Sequence, residues 1–184
     1  MKFISQIIPE IILIEPIVHE DHRGYFSETF RKKLLEEKVG YSWNFVQENE
    51  SKSTKGVLRG LHYQVPPYTQ AKLVRVLKDK VLVVAVDIRK SSKTFGQYIS
   101  AEITSNNKHQ LFIPHGFAHG FVVLSDIAIF NYKVDNHYAP KFERGIVFND
   151  KNLLIDWKIP SEFLILSDKD KMQPSLSNTD EFFD

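Results

Sequence analysis

Apolar and polar positions alternate along this chain in short runs, most with the length and period of β-strands. Residues 11–16 form an apolar run closed by Pro16, the pattern of a short buried strand. A polar turn, His19-Glu20-Asp21-His22-Arg23-Gly24, precedes an alternating, strand-like run over residues 25–30. Residues 31–39 are rich in Lys, Leu and Glu and are followed by Gly40, which predicts a helix with a glycine C-terminal stop. Residues 43–48 read as a further strand and residues 51–55 as a polar loop. From Lys72 onward nearly everything reads as strand. Residues 73–77 and 81–88 flank Lys78-Asp79-Lys80, which predicts a hairpin. Further β-runs cover residues 98–104, 110–113, 120–124 and 127–134, with turns at Ser105-Asn106-Asn107 and Ser125-Asp126. Short strands at this spacing, with one clear helix, argue for a β-sandwich or barrel. The tail after Leu166 is polar and is expected on the surface.

Composition narrows the class. The 184 residues suffice for one compact domain, expected to span 1–184, and are too few to favour two. The 24 basic side chains nearly cancel the 23 acidic ones, so a net charge of +1 argues against nucleic acid or a membrane surface as partner. With no cysteine, disulfides and thiolate chemistry are excluded, which is compatible with a reducing cytoplasm. The apolar run near the N-terminus is broken by Pro9 and Glu10 and is too short to span a bilayer. A cytoplasmic protein is expected.

Candidate chemistry gathers around Val57-Leu58-Arg59-Gly60-Leu61-His62-Tyr63-Gln64, which sets a guanidinium and an imidazole three positions apart. Of the seven histidines, His19, His22, His109 and His137 sit in polar turns, where an exposed structural role is the simpler reading. His62 and His119 each lie near glycine in a β-rich run, where a close approach to the backbone is possible. Pro114-His115-Gly116-Phe117-Ala118-His119 has the form Pro-x-Gly-x-x-His and resembles the second motif of the cupins. The first motif of metal-binding cupins needs His-x-His and then Glu. Here His62 is followed by Tyr63 and Gln64, and Tyr68 and Thr69 stand in place of the glutamate. Two imidazoles without a carboxylate make a poor metal site, so a metal-dependent oxygenase or isomerase is disfavoured.

Several longer motifs occur in order: Arg59-Gly60-Leu61-His62-Tyr63-Gln64, Val86-Asp87-Ile88-Arg89 with Thr94-Phe95-Gly96, Pro114 to Phe121, and Leu166-Ser167-x-Lys169-Asp170. Together they closely resemble the dTDP-4-dehydrorhamnose 3,5-epimerase family, over residues from about Ile12 to Asp170. The resemblance implies an all-β, cupin-type jelly-roll barrel with a few short peripheral helices. It also implies a homodimer that uses no metal or other cofactor and acts on dTDP-4-keto-6-deoxyglucose. By the same resemblance His62 matches the base, Tyr132 the acid, Lys72 the group near the ketone oxygen, and Asp170 the carboxylate paired with the histidine. Nucleotide and sugar contacts would fall on Arg23, Glu28, Gln47, Glu48, Asn49, Arg59, His119, Glu143 and Lys169. Arg23 and Glu28 would reach the neighbouring subunit's site.

Elementary chemistry supports such a set. The C3 and C5 protons of a 4-keto sugar are acidified by the ketone between them, and removing one leaves an enolate. An ammonium such as Lys72 stabilises the enolate oxygen, an imidazole suits the abstraction, and inversion needs a donor on the opposite face, which a phenol can supply. The planar fork of Arg59 suits a diphosphate. Taken alone, Tyr132 shares a strand face with Ala128 and Phe130 and reads as a core aromatic. Lys72 reads as a solvated strand end, Asp170 as a surface charge between two lysines, and Arg59 as a surface pairing residue. His115, Phe142 and Phe148 depart from the family pattern and leave the sugar preference open. A one-carbon epimerase, or one for another nucleotide-linked 4-keto sugar, would use the same groups. A non-catalytic sugar-binding cupin would retain Arg59 and the pocket aromatics but have no need of His62, Tyr132 and Asp170.

Overall fold

The computed structural model describes residues 1–179 and 183. Its strands are β1 (Lys2–Ser5), β2 (Ile12–Glu15), β3 (Val18–Asp21), β4 (Gly24–Ser27), β5 (Gln47–Thr54), β6 (Leu58–Gln64), β7 (Lys72–Lys78), β8 (Lys80–Asp87), β9 (Tyr98–Thr104), β10 (Gln110–Ile113), β11 (Phe117–Val123), β12 (Ile127–Val134) and β13 (Glu143–Gly145). Two short helices, α1 (Lys32–Val39) and α2 (Asp168–Lys171), flank them. A six-stranded sheet in the order β1-β2-β10-β7-β12-β5 faces a five-stranded sheet in the order β13-β6-β11-β8-β9. This is the expected jelly-roll barrel. A separate hairpin, β3–β4, belongs to neither sheet.

The strongest apolar runs are explained by burial on two faces. Along β8, Val81, Val83 and Ala85 point between the sheets, where they meet Val74, Phe121 and Phe130. The alternate residues Leu82, Val84 and Val86 point the other way, against Ile146, Leu153, Trp157 and Leu176. A strand covered on both sides has no polar face to show, so it reads as continuous hydrophobic sequence. A third cluster packs Leu35 of α1 and Trp43 on Ile12, Ile14, Leu73 and Phe112, behind the six-stranded sheet. The helix ends where expected, with Gly40 in the left-handed region at φ 84°.

Five expectations are corrected. Lys78-Asp79-Lys80 does not close a hairpin: β7 and β8 lie in different sheets, and Asp79, at φ 60°, turns the chain from one to the other. The segment expected as a loop at residues 51–55 is mostly strand, since β5 runs to Thr54 and pairs with β12 along its full length. Its inward positions are serines and amides, so hydrophobic alternation gave no signal. Residues 25–30 are strand only as far as Ser27, and Tyr25 and Phe26 are both exposed, at 57% and 69%. The tail after Leu166 is not a surface segment throughout, because Asp170, Leu176 and Thr179 are buried. β11 also starts earlier than expected, at Phe117.

One irregularity sets the orientation of the key stretch. Between β11 and β6 the register pairs His119 with His62 but Phe121 with Arg59, so β6 carries one extra residue. In a regular strand, residues three apart face opposite sides. The extra residue cancels that inversion, and Arg59 and His62 both face the space between the sheets, while Leu58 and Leu61 join the outer cluster. Glycine is required at this bulge. Gly60 sits at φ +123°, and a Cβ there would meet Gly120 Cα at 2.6 Å and the His119 carbonyl at 2.7 Å. Gly60→Ala is expected to lower stability by about 1–3 kcal/mol through strain and forced strand separation. Urea unfolding checks this, and parental stability would show that the two strands can part here at no cost.

Candidate active site

The cavity between the sheets has a volume of about 470 Å³ and is walled by four groups of side chains. β6 supplies Arg59, His62 and Gln64, and β11 supplies His119, the cross-strand neighbour of His62. The facing sheet supplies Lys72 from the first position of β7 and Tyr132 from β12. β13 and the C-terminal segment supply Glu143, Lys169 and Asp170. Charges of both signs therefore surround one space that an apolar floor of Phe121 and Phe130 closes.

His62 is held by a carboxylate. Its Nε2 lies 2.5 Å from Oδ1 of Asp170, which is only 4% exposed. Ser167, the N-cap of α2, donates to the other carboxylate oxygen, Oδ2, at 2.9 Å, and accepts from the Asp170 N–H at 3.1 Å. Burial alone would raise the Asp170 pKa, but the hydrogen bond and charge of His62, together with Ser167, pull it below the ordinary carboxylate value. Both oxygens of Asp170 are thus committed, and its charge is compensated inside the protein.

Lys72 is buried, at 8% exposure. Loss of solvation pushes its pKa down to about 8, against the opposing pull of Glu143 and Asp135. His119 is pushed well below the usual histidine value, first by burial and then by the positive charge of Lys72 and His62. It is therefore a neutral imidazole, and its Nε2 is buried with no hydrogen-bond partner among the described residues. Tyr132 stays protonated as well: burial and the Glu143 charge raise its pKa, outweighing its hydrogen bond with Asn49 and the Arg59 charge. At the rim, Glu143 accepts from Tyr138 Oη at 2.8 Å and pairs with Lys169. Burial would raise the Glu143 pKa, but Lys169, Tyr138 and the His62 charge hold it low.

The candidates from the sequence separate into those that meet at the cavity and those that do not. His62, Tyr132, Asp170, Lys72, Arg59, His119, Glu143 and Lys169 all line it. Gln47 and Asn49 occupy inward positions of β5 beside it. The Gln47 side chain bonds Asn49 at 2.8 Å and accepts from the Tyr138 N–H at 3.0 Å. Glu48 lies on the opposite, outward face of that strand and pairs with Lys133 at 2.6 Å. Arg23 and Glu28 do not line this chain's cavity and have local partners, Asp21 and Arg31. Tyr138, Gln64, Ser51 and Ser167 line the cavity without having been singled out as site residues. Tyr138 lies in a polar connection with no periodicity to mark it. Ser167 did have a signal, since Ser-x-x-Asp is an N-capping pattern. Among the described residues no three His, Cys, Asp or Glu side chains converge as metal ligands would.

Comparison with known proteins places this geometry. Residues 5–178 match the family model described as dTDP-4-dehydrorhamnose 3,5-epimerase. The enzyme of that name from Shigella flexneri is 54% identical over 170 residues, covering 92% of this chain and 93% of its own. The crystal structure of the Elizabethkingia anophelis 3,5-epimerase superposes with a TM-score of 0.95 at 48% identity, covering 99% of both chains. The Legionella pneumophila 3,5-epimerase, solved with dTDP-4-keto-L-rhamnose, gives 0.93 at 47% identity and covers 97% of this chain and 94% of its own.

The burial of Lys72 has a measurable consequence. Its pKa falls from the ordinary 10.5 to about 8 on folding, so between those values the unfolded chain holds more protons than the folded one. Stability must then rise with pH across that window as the buried charge is lost. The unfolding free energy of the parent protein is expected to gain on that of Lys72→Met from pH 8 upward. Parallel urea-denaturation profiles for the two proteins would contradict a buried ammonium at this position.

Proposed function

The chain belongs to the dTDP-4-dehydrorhamnose 3,5-epimerase family, and we propose that its cavity performs the family reaction with His62 as base, Asp170 as its carboxylate partner, Tyr132 as acid and Lys72 beside the ketone oxygen. The protein is an isomerase. It converts dTDP-4-dehydro-6-deoxy-D-glucose to dTDP-4-dehydro-L-rhamnose by epimerisation at C3 and C5, within dTDP-L-rhamnose biosynthesis. The observation that carries the residue roles is the disposition of the two titratable edges of the cavity. A carboxylate-held imidazole stands on one sheet, and a protonated phenol with a buried ammonium stands on the other.

The chemistry follows from these environments. With Nε2 committed to Asp170, His62 has its second ring nitrogen left for a proton on C3 or C5. The pair of electrons from the broken C–H bond moves through the new C=C bond to the C4 oxygen. Lys72 compensates that charge from a desolvated position, where electrostatics are strong. Tyr132 then returns a proton to the opposite face of the carbon, and the ketone is restored. Its raised pKa keeps it loaded with the proton it must give. Arg59 and Lys169 supply positive charge for the diphosphate. His119 offers a neutral imidazole to a sugar oxygen, and Glu143, Gln47 and Asn49 border the sugar and nucleotide. Glu48, turned outward, has no role in this chain's own cavity.

The enzyme works as a homodimer of one-domain chains in the cytoplasm. Two features support the dimer: among the described residues β5 is the last strand of its sheet and pairs on one side only, and the β3–β4 hairpin exposes Tyr25 and Phe26 outside either sheet. An exposed strand edge and an uncovered aromatic hairpin are what a partner chain would cover. Arg23 and Glu28, at and just after that hairpin, serve the neighbouring subunit's cavity.

The test uses metal-stripped protein and dTDP-4-keto-6-deoxyglucose in deuterium oxide, with C3 and C5 followed by NMR. The parent enzyme is expected to place deuterium at both carbons, and exchange at one alone would reduce it to a single-site epimerase. His62→Ala should abolish exchange, and normal exchange there would remove His62 from the role of base. Lys72→Met should lower kcat by roughly 10²–10³-fold, the typical effect of deleting an oxyanion donor. Tyr132→Phe should still exchange protons on the His62 side, yet lose net inversion by roughly 10²–10⁴-fold, the usual contribution of a general acid. Inversion at the parental rate in that variant would assign the acid elsewhere.

A further inference from the structure

We propose that Ser167 is a positioning residue for the epimerisation, fixing the Asp170 carboxylate so that a single oxygen, Oδ1, is presented to His62. This rests on the assignment of His62 and Asp170 as the basic pair. Three observations carry it. First, the Ser167 hydroxyl does two things at once: it accepts from the Asp170 N–H at 3.1 Å and donates to Asp170 Oδ2 at 2.9 Å. The backbone and the carboxylate of one residue are therefore tied to one side chain. Second, α2 has only four residues, too short to be stable by itself, and Ser167 is its N-cap, so the cap contributes to ordering Asp170. Third, Asp170 is 4% exposed and its two carboxylate oxygens are taken by His62 and Ser167, so the hydroxyl is one of the two donors that fix the carboxylate's rotation.

A carboxylate on a single-bonded stem can rotate and exchange its two oxygens. Pinning Oδ2 removes that freedom, and Oδ1 is left 2.5 Å from His62 Nε2. The imidazole is then held in one tautomer and one ring orientation, with the other nitrogen toward the cavity. The hydroxyl also draws charge from the carboxylate, which moderates how strongly the pair takes up a proton. Other charged or titratable groups facing the pair are Lys169 on α2, Glu143 on β13, Lys72 on β7 and His119 on β11.

Removing the hydroxyl should leave substrate binding intact and impair proton abstraction. In Ser167→Ala, kcat is expected to fall about 5- to 20-fold, the scale of one hydrogen bond to a charged group, with KM within about twofold of the parent. The acid limb of the kcat profile should move to higher pH, because the carboxylate left with one donor fewer holds the pair's proton more tightly. Ser167→Thr, which keeps the hydroxyl, should restore both. Ser167→Gly separates orientation from helix capping, since glycine is a tolerated N-cap; it should behave like the alanine variant, and it decides the matter with the threonine variant if Ser167→Ala does not fold. Parental kcat and pH profile in the alanine and glycine variants would overturn the proposal. So would a threonine variant as impaired as they are, or a loss confined to KM. His62→Ala and Asp170→Asn run alongside: if either keeps parental activity, the basic pair itself is misassigned, whereas their inactivity beside an unaffected Ser167→Ala removes Ser167 alone.

Discussion

The close contact between β6 and β11 at Gly60 and Gly120 governs the rest of the site. Two backbones approach there more closely than any side chain would allow, and the extra residue in β6 is absorbed at that point. From this single constraint follow the facing of Arg59 and His62 into one cavity, the cross-strand placement of His119 beside His62, and the release of Leu61 to the outer cluster. A one-residue change of register reverses every side chain beyond it. Without the bulge, either the guanidinium of Arg59 or the imidazole of His62 would point away from the cavity.

Electrostatics of the cavity are organised by unequal burial. Asp170 and Glu143 keep their charge because donors surround them. Lys72 and His119 have less compensation, and both are pushed toward neutrality, Lys72 only to about 8 and His119 well below its usual value. The outcome is a graded set: two stable anions, a cation near its titration point, a neutral imidazole and a loaded phenol. Proton transfer between carbon and protein needs such a spread of basicity in one small space.

The C-terminal segment contributes more than cover. It buries the outer face of the five-stranded sheet through Trp157 and Leu176 and also delivers Asp170 and Lys169 to the cavity. Stability and chemistry are therefore coupled in one stretch: any loosening of its packing would move the carboxylate that holds His62.

Much of this was legible in the residue order. Most strand-length runs, the helix stopped by Gly40 and the turn at Ser125-Asp126 depend on local periodicity and backbone preference, and they appear close to where those rules put them, although the run expected over residues 43–48 is strand only from Gln47. The motifs around Arg59-Gly60-Leu61-His62 and Leu166 to Asp170 carried the family and hence the reaction, because they are contiguous stretches of sequence. What depended on distant partners was not legible. That β7 and β8 enter different sheets, and that the polar β5 is a full strand, is decided by which strand pairs with which. Asp170, between two lysines, looks like a surface charge until tertiary packing buries it against a histidine 108 positions earlier. The low pKa of Lys72, the neutrality of His119 and the outward turn of Glu48 are set in the same way. Each is a property of desolvation and of facing side chains, which exist only once the two sheets have closed on each other.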